Sequence, residues 1–163
     1  MSTEAREALV NNAKLSSKGN DTVVGTQRSD LVDENQTDTY LIAMLTWLLE
    51  HCNEPIMLTA VRTDHQSPDQ IWLHSGGKAV DMYPKNWAGR EQEAVCNVLA
   101  ALSKNPYCEN VGLGGVVQQW RTYVTWPKWP QFWLFNDDVQ DHIHAGSACE
   151  QDQTGGARAQ ANG

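Results

Sequence analysis

Residues 40–52 constrain the fold most, because apolar side chains occupy nearly every face of the helix that they predict. A helix of this kind is stable only where other elements cover it on all sides. The run is too short to cross a bilayer, which takes about 20 apolar residues. The chain has 163 residues, enough for one domain with a modest core. The segment therefore predicts a buried helix at the centre of a single domain.

Short apolar segments on both sides of this helix predict the rest of the fold. Residues 56–61 and 78–82 are typical of buried strands, and apolar residues recur at helical spacing over 89–104. Residues 132–135 and 142–145 predict two final strands around an acidic turn. Helices interleaved with short strands favour the α+β class. We expect a small, mainly antiparallel sheet flanked by helices.

Composition divides the chain into three segments. Residues 1–36 are polar and rich in Ser, Asn, Asp and Thr, so we expect a loosely attached N-terminal arm. Residues 37–146 contain the predicted core and form the domain. Residues 147–163 are small and polar, which predicts a disordered tail.

The charge balance bears on partners. The chain has 12 Lys and Arg against 20 Asp and Glu, a net charge of −8. Nucleic acid and anionic membranes are poor partners for such a chain. The sequence shows neither a membrane-spanning run nor an N-terminal signal segment. We therefore expect a protein made in the cytoplasm, without membrane insertion and without nucleic acid as a partner.

Histidines beside carboxylates indicate a metal site. A hydrolytic zinc site uses about three protein ligands and leaves one position open for water. His74, Asp81 and His144 are suitable ligands for Zn²⁺. On a strand, His142 shares the face of His144, so it is expected to line the same cleft without binding the metal. The remaining histidines, including His65, are predicted to be ordinary polar residues.

Two acids compete for the role of general base in such a site. Asp138 has the strand parity of His144, whereas Asp141 needs a bulge or a turn to face the metal. The sequence leaves this choice open. Trp72, beside His74, is the aromatic residue predicted to line the cleft wall.

The run from His74 to Asp81 reads His-Ser-Gly-Gly-Lys-Ala-Val-Asp. It resembles the His-x-x-Gly-x-Ala-x-Asp motif of the zinc D-Ala-D-Ala peptidase family, which shares its fold with the hedgehog signalling domain. The run from Asp141 to His144 is similar to the second motif of that family, an acid three residues before the last zinc ligand. Residues 58–63 are similar to the strand that ends in a substrate-binding arginine, here Arg62.

This resemblance implies a zinc peptidase that acts on the stem peptides of peptidoglycan. Asp141 would be the general base, with Asp138 in reserve, and His142 would stabilise the oxyanion. Arg62 would position the substrate. Carboxypeptidase and L-alanyl-D-glutamate endolysin members share these ligands, so the cleaved bond stays open. Such an enzyme acts at the cell wall after release, or is carried in a virion.

Two alternatives remain open at this level. The acidity of the chain suits a zinc-binding, non-catalytic module that keeps the peptidase fold, with virion or other assembly subunits as its partners. A cytosolic D-Ala-D-Ala dipeptidase is the second alternative.

Overall fold

The computed structural model describes residues 2–65, 72–126, 128–129, 132–135 and 141–148. The helices in this part of the chain are α1 (Thr3–Val10), α2 (Gly25–Val32), α3 (Thr39–His51), α4 (Trp72–Ser75), α5 (Glu91–Lys104) and a 3₁₀ helix (Gly115–Tyr123). The strands are β1 (Leu15–Ser17), β2 (Ile56–Ala60), β3 (Ala79–Pro84), β4 (Asn110–Gly114), β5 (Trp133–Phe135) and β6 (His142–Gly146).

The strands form one sheet in the order β1-β2-β3-β6-β4-β5. The four central strands pair antiparallel, and each edge strand runs parallel to its neighbour. The α+β class is confirmed, with a mixed sheet flanked by helices. The strands β3 and β6 lie at the centre of the sheet although about sixty residues separate them in the chain.

Helices α3 and α5 provide much of the core. The predicted buried helix is confirmed, since α3 buries six large apolar side chains: Leu41, Ile42, Met44, Leu45, Leu48 and Leu49. Each such side chain stabilises the fold by about 1.5–3 kcal/mol when fully buried. Helix α5 contacts both α3 and β3, and turns its apolar stripe inward. No helix among the described residues has both the length and the apolarity needed to cross a bilayer.

The N-terminal segment is packed, so the expectation of a loosely attached arm is wrong. Strand β1 pairs with β2, and Leu9, Val10 and Leu15 are buried in the core. The guanidinium of Arg6, which is 2% exposed, donates to the carbonyl oxygen of Leu31 at 2.9 Å and to Thr37 Oγ1 at 2.7 Å. Polar composition concealed a few well-placed apolar residues and a buried cation that donates to backbone carbonyls and to a threonine hydroxyl.

The start of α5 is held by an ion pair that allows a stability prediction. Arg90 donates to both carboxylate oxygens of Glu54, at 2.8 and 2.9 Å, and Asn97 donates to Glu54 Oε2 at 2.8 Å. The hydrogen bonds from Arg90 lower the pKa of Glu54. We expect Glu54→Gln to lower the free energy of unfolding at pH 7 by about 1–3 kcal/mol, measured by urea titration.

The effect should depend on pH with a defined sign. A carboxyl group whose pKa is lower in the folded state stabilises the protein above its unfolded pKa, about 4.3 for Glu. The difference between wild type and Glu54→Gln should therefore shrink as the pH falls below about 4. Glu93→Gln is the matched control, because Glu93 also contacts Arg90 but its side chain is 67% exposed. An equal loss in both variants would contradict the prediction.

Candidate metal centre

The register of β3 and β6 sets the base of the site. Asp81 on β3 lies directly opposite His144 on β6. Opposite residues in an antiparallel pair project from the same face, with Cβ atoms about 4.5–5.5 Å apart. His142, two residues earlier on β6, shares that face. Three of the predicted site residues are therefore brought together by one strand pair.

Strand β4 carries two glycines beside the histidines of β6. Its Gly112 lies opposite His144, and Gly114 lies opposite His142. Neither glycine has a positive φ, so the backbone does not require glycine at these positions. What the two glycines provide is the absence of a side chain.

His74 enters the site from α4 and is 1% exposed. Its Nδ1 lies 2.8 Å from the carbonyl oxygen of Val61. A carbonyl can only accept, so Nδ1 carries a hydrogen, and Nε2 is the nitrogen that can bind a metal when the ring is neutral. Ligand histidines in metal sites are oriented by this kind of hydrogen bond from the second ring nitrogen. Nε2 points toward Asp81 and His144.

Three ligand atoms converge at this point. His74 Nε2 lies 3.2 Å from Asp81 Oδ1 and 3.2 Å from His144 Nδ1, and the last two atoms are 3.4 Å apart. Ligand atoms around a tetrahedral ion with bonds of about 2.0–2.1 Å are separated by about 3.3 Å. Asp81 Oδ1 is buried, and within the described ranges it receives no hydrogen bond. A cation between these atoms would satisfy Asp81 Oδ1.

Two more histidines surround the other carboxylate oxygen. His65 Nε2 lies 3.5 Å and His142 Nε2 3.8 Å from Asp81 Oδ2. Both side chains are 12% exposed, against 1% and 0% for His74 and His144. We call His74 and His144 the inner pair, and His65 and His142 the outer pair. Asp81 lies between the two pairs, and the outer pair faces solvent.

His65 is the site residue that sequence reasoning missed. Its ring stacks on His74, with centroids 3.9 Å apart and an interplanar angle of 17°. The ligand atoms of His65, His74 and Asp81 lie within 4.8 Å of one another, a group able to hold a metal ion. The prediction that His65 is an ordinary polar residue is therefore wrong. The only signal was its place just after β2, whose Ala60 pairs with Asp81.

Two aspartates hold the loop that carries His65. Asp64 Oδ1 accepts from the amide of Val61, and Asp64 Oδ2 accepts from Gln27 Nε2, both at 2.8 Å. Asp30 on α2 accepts from the amide of Thr63 at 2.8 Å and from its hydroxyl at 2.7 Å. The packed N-terminal segment thus positions one edge of the site.

Gly77 shapes the turn that leads from His74 to β3. Its φ is +70°, and an added Cβ would lie 2.1 Å from the carbonyl oxygen of Gln36. Its own carbonyl accepts from the amide of Asp38 at 2.8 Å. The glycine of the first motif is therefore required both by its backbone conformation and by the close approach of the segment before α3.

The electrostatics favour the protonation states that metal binding requires. Burial lowers the pKa of His144 to about 4, so this ring is neutral at pH 7. Burial alone would raise the pKa of Asp81, but the adjacent His74 and the contact with His144 outweigh it and hold that pKa well below its usual value. Burial, with His74 next in size, also lowers the pKa of His65. Ionised carboxylate and neutral imidazole are the forms that bind metals.

The structure places the other predicted residues as follows. Asp141 precedes β6, and its Oδ1 accepts from the amide of Val116 at the start of the 3₁₀ helix. Arg62 donates through Nε to the carbonyl oxygen of Ser75 at 2.7 Å, which ties it to the end of α4. For Trp72 the structure describes only the backbone, at the start of α4. Asp138 lies outside the described residues.

Comparison of the chain with protein-family models, curated proteins and solved structures found no match. The fold and the site define an α+β domain with a histidine–aspartate cluster able to hold a metal ion. Two or three imidazole nitrogens with one carboxylate oxygen suit zinc and other late first-row divalent ions.

Proposed function

We propose that this protein is a zinc-dependent peptidase that hydrolyses peptide bonds in the stem peptides of peptidoglycan. One observation carries the proposal: three ligand atoms lie 3.2–3.4 Å apart at a buried point of the sheet face. The site is partly exposed on the side of the outer pair, whose side chains are 12% exposed, and a catalytic zinc site needs such access for water. The substrate class rests on the resemblance to the zinc D-Ala-D-Ala peptidase family.

In this proposal His74, Asp81 and His144 hold the ion. When bound, Zn²⁺ lowers the pKa of a coordinated water to about 7 and polarises the scissile carbonyl. Asp141 accepts the proton of the attacking water and returns it to the nitrogen of the leaving amine as the carbon–nitrogen bond breaks.

The outer parts of the site bind and orient the peptide. His142, 12% exposed beside Asp81, donates a hydrogen bond to the oxyanion that develops on the carbonyl oxygen. Arg62 is held by Ser75 through Nε, and its guanidinium binds a carboxylate or carbonyl of the substrate.

Digestion of purified peptidoglycan tests this function directly. We expect wild type loaded with Zn²⁺ to generate new amine termini, identified by mass spectrometry of the muropeptides. His74→Ala should generate none. Asp141→Asn keeps an oxygen for the Val116 amide but removes the base, so we expect turnover to fall about 10²–10⁴-fold without a change in thermal stability.

The other outcomes discriminate among the alternatives. Full activity in Asp141→Asn with loss in Asp138→Asn would transfer the base to Asp138. Release of D-Ala from the free dipeptide alone would indicate a D-Ala-D-Ala dipeptidase. No product from protein shown to contain zinc would overturn the peptidase proposal in favour of a zinc-binding module of a virion or another assembly.

A further inference from the structure

The two oxygens of Asp81 face two different pairs of histidines. Oδ1 lies within 3.4 Å of ring nitrogens of the inner pair, and Oδ2 lies 3.5 and 3.8 Å from Nε2 of the outer pair. We propose that the carboxylate of Asp81 bridges two divalent metal ions. The inner ion is held by Oδ1 with His74 and His144. The outer ion is held by Oδ2 with His65 and His142, and it would replace His142 in stabilising the oxyanion.

The stacking of His65 on His74 favours two ions over one. An imidazole nitrogen donates its lone pair in the plane of its ring, and these rings are within 17° of parallel. The two Nε2 atoms approach different oxygens of the same carboxylate, Oδ2 at 3.5 Å for His65 and Oδ1 at 3.2 Å for His74. The rings are 3.9 Å apart, close to the separation of about 3.5–4 Å between the ions of two-metal hydrolytic sites.

The distances around Oδ2 also fit ligands better than hydrogen bonds. Separations of 3.5 and 3.8 Å are longer than the 2.7–3.2 Å typical of N–H···O hydrogen bonds. The shorter separation, between His65 Nε2 and Oδ2, is close to the distance of about 3.3 Å between ligand atoms that share a tetrahedral ion. Asp64, adjacent to His65 in the chain, and Asp30, bound to Thr63, add negative charge behind the loop of the outer site.

The outer site also differs from the inner site in access. Its two imidazoles are each 12% exposed, so an ion there can exchange with solvent and meet a substrate oxygen. In two-metal sites the ions together stabilise the attacking and leaving groups of the reaction. This inference deepens the proposed metal centre and rests on it for the inner ion, but the number of bound ions is measured independently of activity.

Metal content per chain provides the test. The full chain is stripped with a chelator, loaded with Zn²⁺, dialysed, and analysed for zinc and protein. We expect two ions per chain in wild type and one in the double variant His65→Gln, His142→Gln. His51→Gln is the matched control, because this exposed histidine stacks on Trp47 at the end of α3, and it should keep two ions. Circular dichroism of each metal-free variant checks that it folds.

Substitution with Co²⁺ separates a bridged pair from two unrelated ions. Two Co²⁺ ions that share a carboxylate are magnetically coupled, so we expect the electron paramagnetic resonance signal to weaken as the second equivalent binds. One ion in wild type, unchanged in the double variant, would overturn the second ion and leave the peptidase proposal intact. No bound ion would overturn both. Two uncoupled ions that persist in the double variant would place the second ion elsewhere and overturn the bridge.

Discussion

Replacing Asp81 with asparagine is expected to weaken metal binding at least about 100-fold and, with it, the proposed peptide hydrolysis. The substitution keeps the size of the side chain but removes the charge from a carboxylate that lies 3.2 Å from His74 Nε2 and 3.4 Å from His144 Nδ1. Loss of a residue that only hydrogen-bonds to a metal ligand already lowers metal affinity about 10–100-fold. Loss of the carboxylate that contacts both histidine pairs should lower it by at least about 100-fold.

Thermal unfolding with and without Zn²⁺ measures this effect apart from catalysis. A ligand that binds only the folded protein stabilises it by about 2.7 kcal/mol at one hundred times its Kd. Wild type should therefore gain Tm on addition of Zn²⁺, and Asp81→Asn should not. His51→Gln should respond as wild type does, since His51 stacks on Trp47 away from the site. A full gain of Tm in Asp81→Asn would show that the ion binds without this carboxylate.

Gly77→Ala is expected to destabilise the fold more than any other single change in the first motif. The backbone at Gly77 has φ +70°, which costs a residue with a Cβ about 1–2 kcal/mol. The Cβ would also lie 2.1 Å from the Gln36 carbonyl oxygen and 2.7 Å from Thr37 Cα, so backbone must move. Together these effects should lower the free energy of unfolding by roughly 3 kcal/mol or more, measured by urea titration.

Gly19→Ala separates the two contributions at Gly77. Gly19 has φ +79°, but a Cβ added there meets nothing within 4 Å. In this control the free energy of unfolding should fall only by the cost of the positive φ, about 1–2 kcal/mol. A loss in Gly77→Ala no larger than in Gly19→Ala would mean that the segment before α3 moves away at little cost. In that case, the segment before α3 would not hold the turn after His74 in place.

The elements that follow from short-range patterns were predicted well. The buried helix was expected at 40–52 and is observed as Thr39–His51. The strand expected at 78–82 is β3, Ala79–Pro84. These segments have periodic apolar residues and local stop signals, and burial of their apolar faces then selects the structure that each pattern indicates. Strand alternation also placed His142 and His144 on one face, and both approach Asp81.

The N-terminal segment could not be interpreted in this way. Its packing depends on Arg6, whose hydrogen bonds reach Leu31 and Thr37. Pairing of β1 with β2 likewise joins residues about forty positions apart. A polar sequence gives no local sign that a buried cation will find hydrogen-bond acceptors this distant in the chain. Those hydrogen bonds form only once the segments meet.

The sequence by itself determined the central helix, the strand that carries Asp81, and the shared face of His142 and His144, because periodicity is a local property. The pairing of β3 with β6, which brings His144 to Asp81, joins residues about sixty positions apart and was decided by the tertiary structure. Only the tertiary structure decided that His65 joins them. The pairing of Ala60 with Asp81 brings the loop after β2 to the site, and Asp30 and Asp64 hold it there. Strand register and long-range hydrogen bonds are properties of the assembled sheet, so no stretch of sequence around His65 contains them.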